Sequence, residues 1–147
     1  MKRPTHNIIP IEELKSVVSD LFKQYDEIQM AYLYGSYATD FKNKFSDIDI
    51  GIVLESNFNE SPLYFARLSS KIEASYHYGI EIDLRILNRC SPRFLFQVIK
   101  NAKILYVKDN NFKDEYELKV INQYLDIKPM LDMFDNISIK KVLGDKY

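Results

Sequence analysis

The segment Tyr34-Gly35-Ser36-Tyr37-Ala38-Thr39-Asp40, running on through Ser46-Asp47-Ile48-Asp49-Ile50-Gly51-Ile52-Val53-Leu54, joins two apolar runs across a Gly-Ser step. The first run, Met30 to Tyr34, ends at that step, and the second is opened by two aspartates at i and i+2. A strand sends alternate side chains to opposite faces, so Asp47 and Asp49 point one way while Ile48 and Ile50 point the other. Same-face neighbours stand about 6.6 Å apart along a strand. Carboxylates on such a spacing can close on a pair of Mg²⁺ ions about 3.5–4 Å apart. Two unpaired aspartates leading into a buried strand would be costly, and a metal removes that cost. The pattern reads as a metal site.

Working outward, Ile11 to Tyr25 carries Leu14, Val17, Val18, Leu21 and Phe22 on an amphipathic helical stripe, with Glu12 and Glu13 in its first turn. Ile28 to Tyr34 reads as a first strand, Asp47 to Glu55 as a second, with a turn or short helix between them. Ser61-Pro62 opens a second helix through Leu63, Phe65, Ala66, Leu68 and Ile72, which Gly79 would stop. Ile80 to Leu87 alternates: Ile80, Ile82, Leu84 and Ile86 on one face, Glu81, Asp83 and Arg85 on the other. Ser91-Pro92 starts a helix through Phe94, Leu95, Val98 and Ile99, and Lys103 to Val107 is a short strand. Phe112 to Leu125 is amphipathic, and Pro129 is expected to restart a final helix carrying Met130, Leu131, Met133 and Phe134. The expectation is one α/β (α+β) domain over residues 1–147, its core at about 11–107 and a helical C-terminal segment at about 111–143.

The chain has 147 residues, enough to bury a core without disulfides or a structural metal. Its 20 basic and 21 acidic side chains nearly balance, so no overall field recruits nucleic acid or an anionic membrane. Cys90 is the single cysteine and can form no intramolecular disulfide, which fits a reducing cytoplasm. No apolar run approaches a membrane span, and Met1-Lys2-Arg3-Pro4 leads into no hydrophobic signal region.

Asp-x-Asp alone is usually a solvated strand end, and Gly-Ser alone is an ordinary turn. Together they are sharper. Ten residues separate Ser36 from Asp47, and Asp83 stands on the polar face of the next strand. Three carboxylates converging from two strands opposite a Gly-Ser turn suit Mg²⁺ plus a triphosphate. Gly35 would let the backbone approach phosphate, Ser36 would donate to its oxygens, and hard Mg²⁺ shares oxygen ligands with substrate phosphates.

These residues resemble the polymerase-β-type nucleotidyltransferase superfamily: Gly35-Ser36, then Asp47-x-Asp49, then Asp83. The wording Ser46-Asp47-Ile48-Asp49-Ile50 and the small size are similar to its minimal branch, the MNT domains, and within it to MNT antitoxins that partner HEPN toxins. The resemblance covers about Ile11 to Val107, and less specifically the segment from Phe112. It implies a small mixed sheet flanked by helices and AMP transfer from ATP. Asp47 and Asp49 would hold two Mg²⁺ ions, Asp83 would ligate one and help activate the attacking hydroxyl, and Gly35 and Ser36 would cradle the β,γ-phosphates. The acceptor would be a tyrosine of the HEPN toxin, silenced by the modification. One departure stands out: the family often reads Gly-Ser-x-Ala-Arg-Gly, and here Thr39 and Asp40 occupy the Arg and Gly positions. Thr39 lacks a guanidinium, with Lys42 and Lys44 nearby, while Asp40 tolerates a left-handed backbone better than most residues.

The remaining conspicuous residues have structural readings. His77 suits capping or packing at a helix end, and His6 lies in the N-terminal tail. Cys90 reads as a small buried hydrophobe, and Tyr32 and Tyr34 as core aromatics rather than adenine stackers. Two other functions stay open: modification of a small hydroxyl compound such as an antibiotic, and inhibition of a partner by binding alone. In the second of these Met130, Met133 and Phe134 are anchors for a partner surface, as they are for the antitoxin.

Overall fold

The computed structural model describes residues 9–39, 47–76 and 80–143. Helical apolar spacing builds α1, Ile11–Phe22, which buries Leu14, Val18 and Phe22; Tyr25 lies beyond its end and packs from a turn. There follow β1 (Ile28–Tyr34), a 3-10 turn (Ser36–Ala38), β2 (Ile48–Leu54), α2 (Tyr64–Glu73) and β3 (Ile82–Ile86). The chain continues through α3 (Pro92–Asn101), β4 (Lys103–Val107) and α4 (Asn110–Leu143).

The strands form one mixed sheet in the order β3-β2-β1-β4, with β1 antiparallel to both β2 and β4 and β2 parallel to β3. Alternation sorts the side chains into two layers. Ala31, Leu33, Ile50, Ile52 and Leu105 meet α1 and α2 through Leu14, Val18, Phe22, Leu68 and Ile72. Met30, Tyr32, Val53 and Leu87 meet α3 and α4 through Leu95, Val98 and Val120. Each buried Val, Leu, Ile, Phe or Met side chain among them contributes about 1.5–3 kcal/mol, so the larger α1/α2 layer supplies most of the hydrophobic stabilisation. On the other face Tyr32 donates its hydroxyl to Glu117 Oε1 at 2.7 Å, and Phe96 stacks on Tyr124 at 4.1 Å. These contacts dock the first half of α4.

Several boundaries differ from the sequence expectation. β2 begins at Ile48, leaving Asp47 exposed just ahead of it, and β3 begins at Ile82 rather than Ile80. α2 begins at Tyr64, because Pro62 sits in a turn closed by the Tyr64 N–H on the Ser61 carbonyl at 3.0 Å. Its expected stop, Gly79, lies outside the described residues. The C-terminal segment is one helix of 34 residues with Pro129 inside it, not two helices. Proline removes one N–H and crowds the carbonyl four residues back. That carbonyl belongs to Leu125, and both residues are exposed, so water can take it and the helix runs on. Only the first half of this helix covers the sheet. Met130, Met133 and Phe134 remain about half exposed, and the Arg93–Asp135 ion pair, 3.1 Å long and open to solvent, adds little.

Candidate active site

Strand register brings the predicted residues together. Tyr34 of β1 opposes Asp49 of β2, and Asp49 opposes Asp83 of β3. Directly opposed residues share a sheet face, so Tyr34, Asp49 and Asp83 form a row across three strands on the side that carries α3 and α4. The next row is Tyr32, Gly51 and Arg85. Burial raises the Asp49 pKa, and the neighbouring charges of Asp83 and then Asp47 raise it further, against the opposing effect of Arg85. A carboxylate whose ionised form is disfavoured by desolvation and like charge is one that a cation would relieve.

Asp49 and Asp83 are in register, whereas Asp47 joins them through its charge rather than through strand pairing. Among the described residues no three Asp, Glu, His or Cys side chains close into a ready-made chelating group. Like charges resist closer approach without a cation, and Mg²⁺ is commonly held by one or two carboxylates completed by substrate phosphates rather than by an all-protein cage. The hard oxygen donors of Asp47, Asp49 and Asp83 therefore fit Mg²⁺ accompanied by a nucleotide.

The Gly-Ser step flanks this row. Gly35 has φ +73° and ψ −161°, a region open to little but glycine, and is the one residue with positive φ among those described. A Cβ at Gly35 would overlap Asp49 Oδ2 and stand 3.3 Å from its Cγ, so the missing side chain is what lets the turn lie against the carboxylate. Beneath it Tyr37 and Ala38 are buried, and the Tyr37 hydroxyl donates to the Ile9 carbonyl at 2.9 Å. Gly35 and Ser36 are thereby held exposed beside Asp49. Thr39 turns back: its hydroxyl donates to the Ser36 carbonyl at 2.7 Å, closing the turn. Asp40, Lys42 and Lys44 lie outside the described residues, as do His6 and His77.

The sequence reading gave no role to Phe94 or Arg85, which complete the face. The Arg85 guanidinium lies 5.1 Å from the Phe94 ring centroid, and Phe94 meets Tyr34 edge-on at 5.8 Å. Burial pushes the Tyr34 phenol up to about 12, opposed by Arg85 and reinforced by Asp49 and Asp83, so it stays neutral. An arginine two residues from Asp83 on the same strand face was the available signal. Tyr32 is core, as expected. Cys90 is half-buried, its thiol donating to the Ile86 carbonyl at 3.2 Å and raised by burial, which does not suit a nucleophile. A groove lined by Gln29, Leu54, Asn88, Phe112 and Lys119 opens at the other end of β2, away from the aspartates.

The raised pKa of Asp49 predicts a cost to stability. Its folded-state value exceeds the ordinary 3.8, so the penalty is full above the folded pKa and vanishes below the unfolded one. Without metal or nucleotide, Asp49→Asn should melt at a higher temperature than the parent at neutral pH, with the gap narrowing as pH falls through the carboxylate range. Thermal melts at several pH values test this, and an equal or lower melting temperature at neutral pH would refute it.

A family model described as polymerase beta, nucleotidyltransferase matches residues 17–111. No curated protein matches the sequence. Among solved structures, a toxin–antitoxin crystallised with AMP-PNP aligns with a TM-score of 0.66 at 21% identity, over 84% of this chain and 98% of that one. A tri-AMPylated Shewanella oneidensis HEPN toxin in complex with MNT antitoxin gives 0.64 at 19%, over 88% and 99%. The toxin–antitoxin MntA–HepT gives 0.63 at 19%, over 86% and 98%. At these identities the likeness is one of fold.

Proposed function

Because the chain belongs to the polymerase beta nucleotidyltransferase family, we propose that it transfers AMP from ATP to a hydroxyl of a HEPN toxin, a tyrosine, and so neutralises that toxin. The observation that carries this reading is the pairing of Asp49 with Asp83 across β2 and β3, beside a glycine turn that a Cβ would drive into Asp49. Two Mg²⁺ ions on Asp47, Asp49 and Asp83 would neutralise phosphate charge and polarise the α-phosphoryl group that is attacked. Asp83, exposed on edge strand β3, would accept the proton of an incoming hydroxyl. Gly35 and Ser36 offer N–H groups and a hydroxyl to the leaving phosphates. The acceptor attacks the α-phosphorus, the bond to the bridging oxygen breaks, and pyrophosphate leaves. No covalent enzyme intermediate is needed, only positioning and charge neutralisation.

The AMPylated toxin and the AMP-PNP complex among the structural neighbours support both donor and acceptor class. The exposed Met130, Met133 and Phe134 on the distal half of α4 support a partner surface there. The single cysteine supports a cytoplasmic setting, and no helix among the described residues is long and apolar enough to cross a membrane. A second reading, inhibition by binding alone, is favoured by Thr39, whose hydroxyl is committed to the Ser36 carbonyl. Intact-mass measurement of the partner toxin after incubation with this protein, ATP and Mg²⁺ separates the two. One or more added adenylyl groups are expected; a stable complex with unmodified toxin would instead establish inhibition by binding.

A further inference from the structure

Arg85 shares a strand face with Asp83 and stands one step further along β3. Its guanidinium rests 5.1 Å from the Phe94 centroid, and that ring is fixed twice. Ser91 caps α3 by accepting the Phe94 N–H at 3.3 Å, and Phe94 packs edge-on against Tyr34. Arg85 is nonetheless exposed, and among the described residues no oxygen accepts a hydrogen bond from its guanidinium. An exposed arginine beside two aspartates would ordinarily bond one of them. Here the guanidinium lies over the Phe94 ring and bonds neither carboxylate, so both are left for another cation.

A guanidinium whose N–H groups are not engaged is open to an oxyanion, and phosphate matches its fork bidentately. We propose that Arg85 is a phosphate-binding residue of the nucleotide site, donating paired hydrogen bonds to the phosphates of the nucleotide whose metal the aspartates hold. The inference rests on the nucleotidyl-transfer reading of the site and adds a charge contact that the Gly35-Ser36 turn does not supply. Phe94 acts as a positioning residue, since it touches the guanidinium and not the substrate.

The test is calorimetric binding of Mg·ATP and of Mg·tripolyphosphate to the full chain and to its Arg85→Gln and Arg85→Lys variants. Arg85→Gln should weaken both ligands by a similar factor, about 10- to 100-fold, the range for losing charge-assisted hydrogen bonds. Arg85→Lys keeps the charge without the fork and should fall between. Melting temperatures close to the parent's are expected, because the side chain is exposed; should Arg85→Gln misfold, the lysine variant carries the test alone. Mg·ATP affinity within twofold of the parent in both variants would overturn the proposal, as would a loss confined to ATP with tripolyphosphate unaffected. Failure of the parent itself to bind Mg·ATP would overturn the nucleotidyl-transfer reading instead.

Discussion

Asp83→Asn should bind Mg·ATP nearly as well as the parent and transfer nucleotide about 10²–10⁴-fold more slowly, the range for losing a general base or metal activation. Asp83 comes from a different strand than Asp49, and it faces solvent on the edge strand β3, where an acceptor can reach it. Asparagine preserves the shape but removes the charge that would hold an ion there and the basicity that would take the acceptor's proton. The contacts proposed for Asp49, Gly35, Ser36 and Arg85 to the nucleotide would persist. The exposed position makes a folding defect unexpected, so the loss should appear in the chemical step. Single-turnover rates at saturating Mg·ATP decide the matter: near-normal transfer would make Asp83 an ordinary strand residue.

The row that contains Asp83 was only half legible in the sequence. Alternation along Ile80 to Leu87 put Asp83 on the polar face, and Asp49 followed from the apolar run after it. The parallel pairing that sets Asp49 opposite Asp83 depends on which strands become neighbours. Sequence spacing carries no such information, because the crossover through α2 could seat β3 on either side of β2. Asp47 shows the complementary failure. Period-two reasoning placed it inside the strand beside Asp49, but the ladder starts at Ile48, whose N–H reaches the Glu81 carbonyl at 3.2 Å. Asp47 therefore acts on Asp49 through its charge, from a position ahead of the strand.

Local signals succeeded where the chemistry is local. Ser91-Pro92 reads as a helix start, and Ser91 caps α3 while Pro92 occupies its first turn. Pro129 misled for the opposite reason: a missing N–H breaks a helix when the orphaned carbonyl is buried, and exposure cannot be judged from the residue itself. Arg85 was placed on the correct face but given no role, since its significance lies in Phe94 arriving from another helix.

Gly35→Ala is the variant in which backbone and site fail together, and an activity loss on the order of 10²-fold is expected. The backbone at φ +73° and ψ −161° suits glycine almost alone, and forcing a side chain into such a region costs about 1–3 kcal/mol. The added Cβ would also overlap Asp49 Oδ2. The Asp49 backbone is held in register between Tyr34 and Asp83 and continued on either side by the buried Ile48 and Ile50, so any yielding falls on its side chain. The turn is equally constrained, since Tyr37 and Ala38 are buried beneath it. A displacement of roughly 1 Å in the carboxylate or in the turn therefore follows, and misplacement on that scale is enough for a 10² effect. Ser36→Ala provides the contrast: it removes one exposed hydroxyl without touching φ or Asp49, and its stability should match the parent. Thermal melts together with single-turnover rates resolve the two contributions. If Gly35→Ala lowers the melting temperature but keeps the parental rate, the glycine serves the turn alone, and its approach to Asp49 has no part in the chemistry.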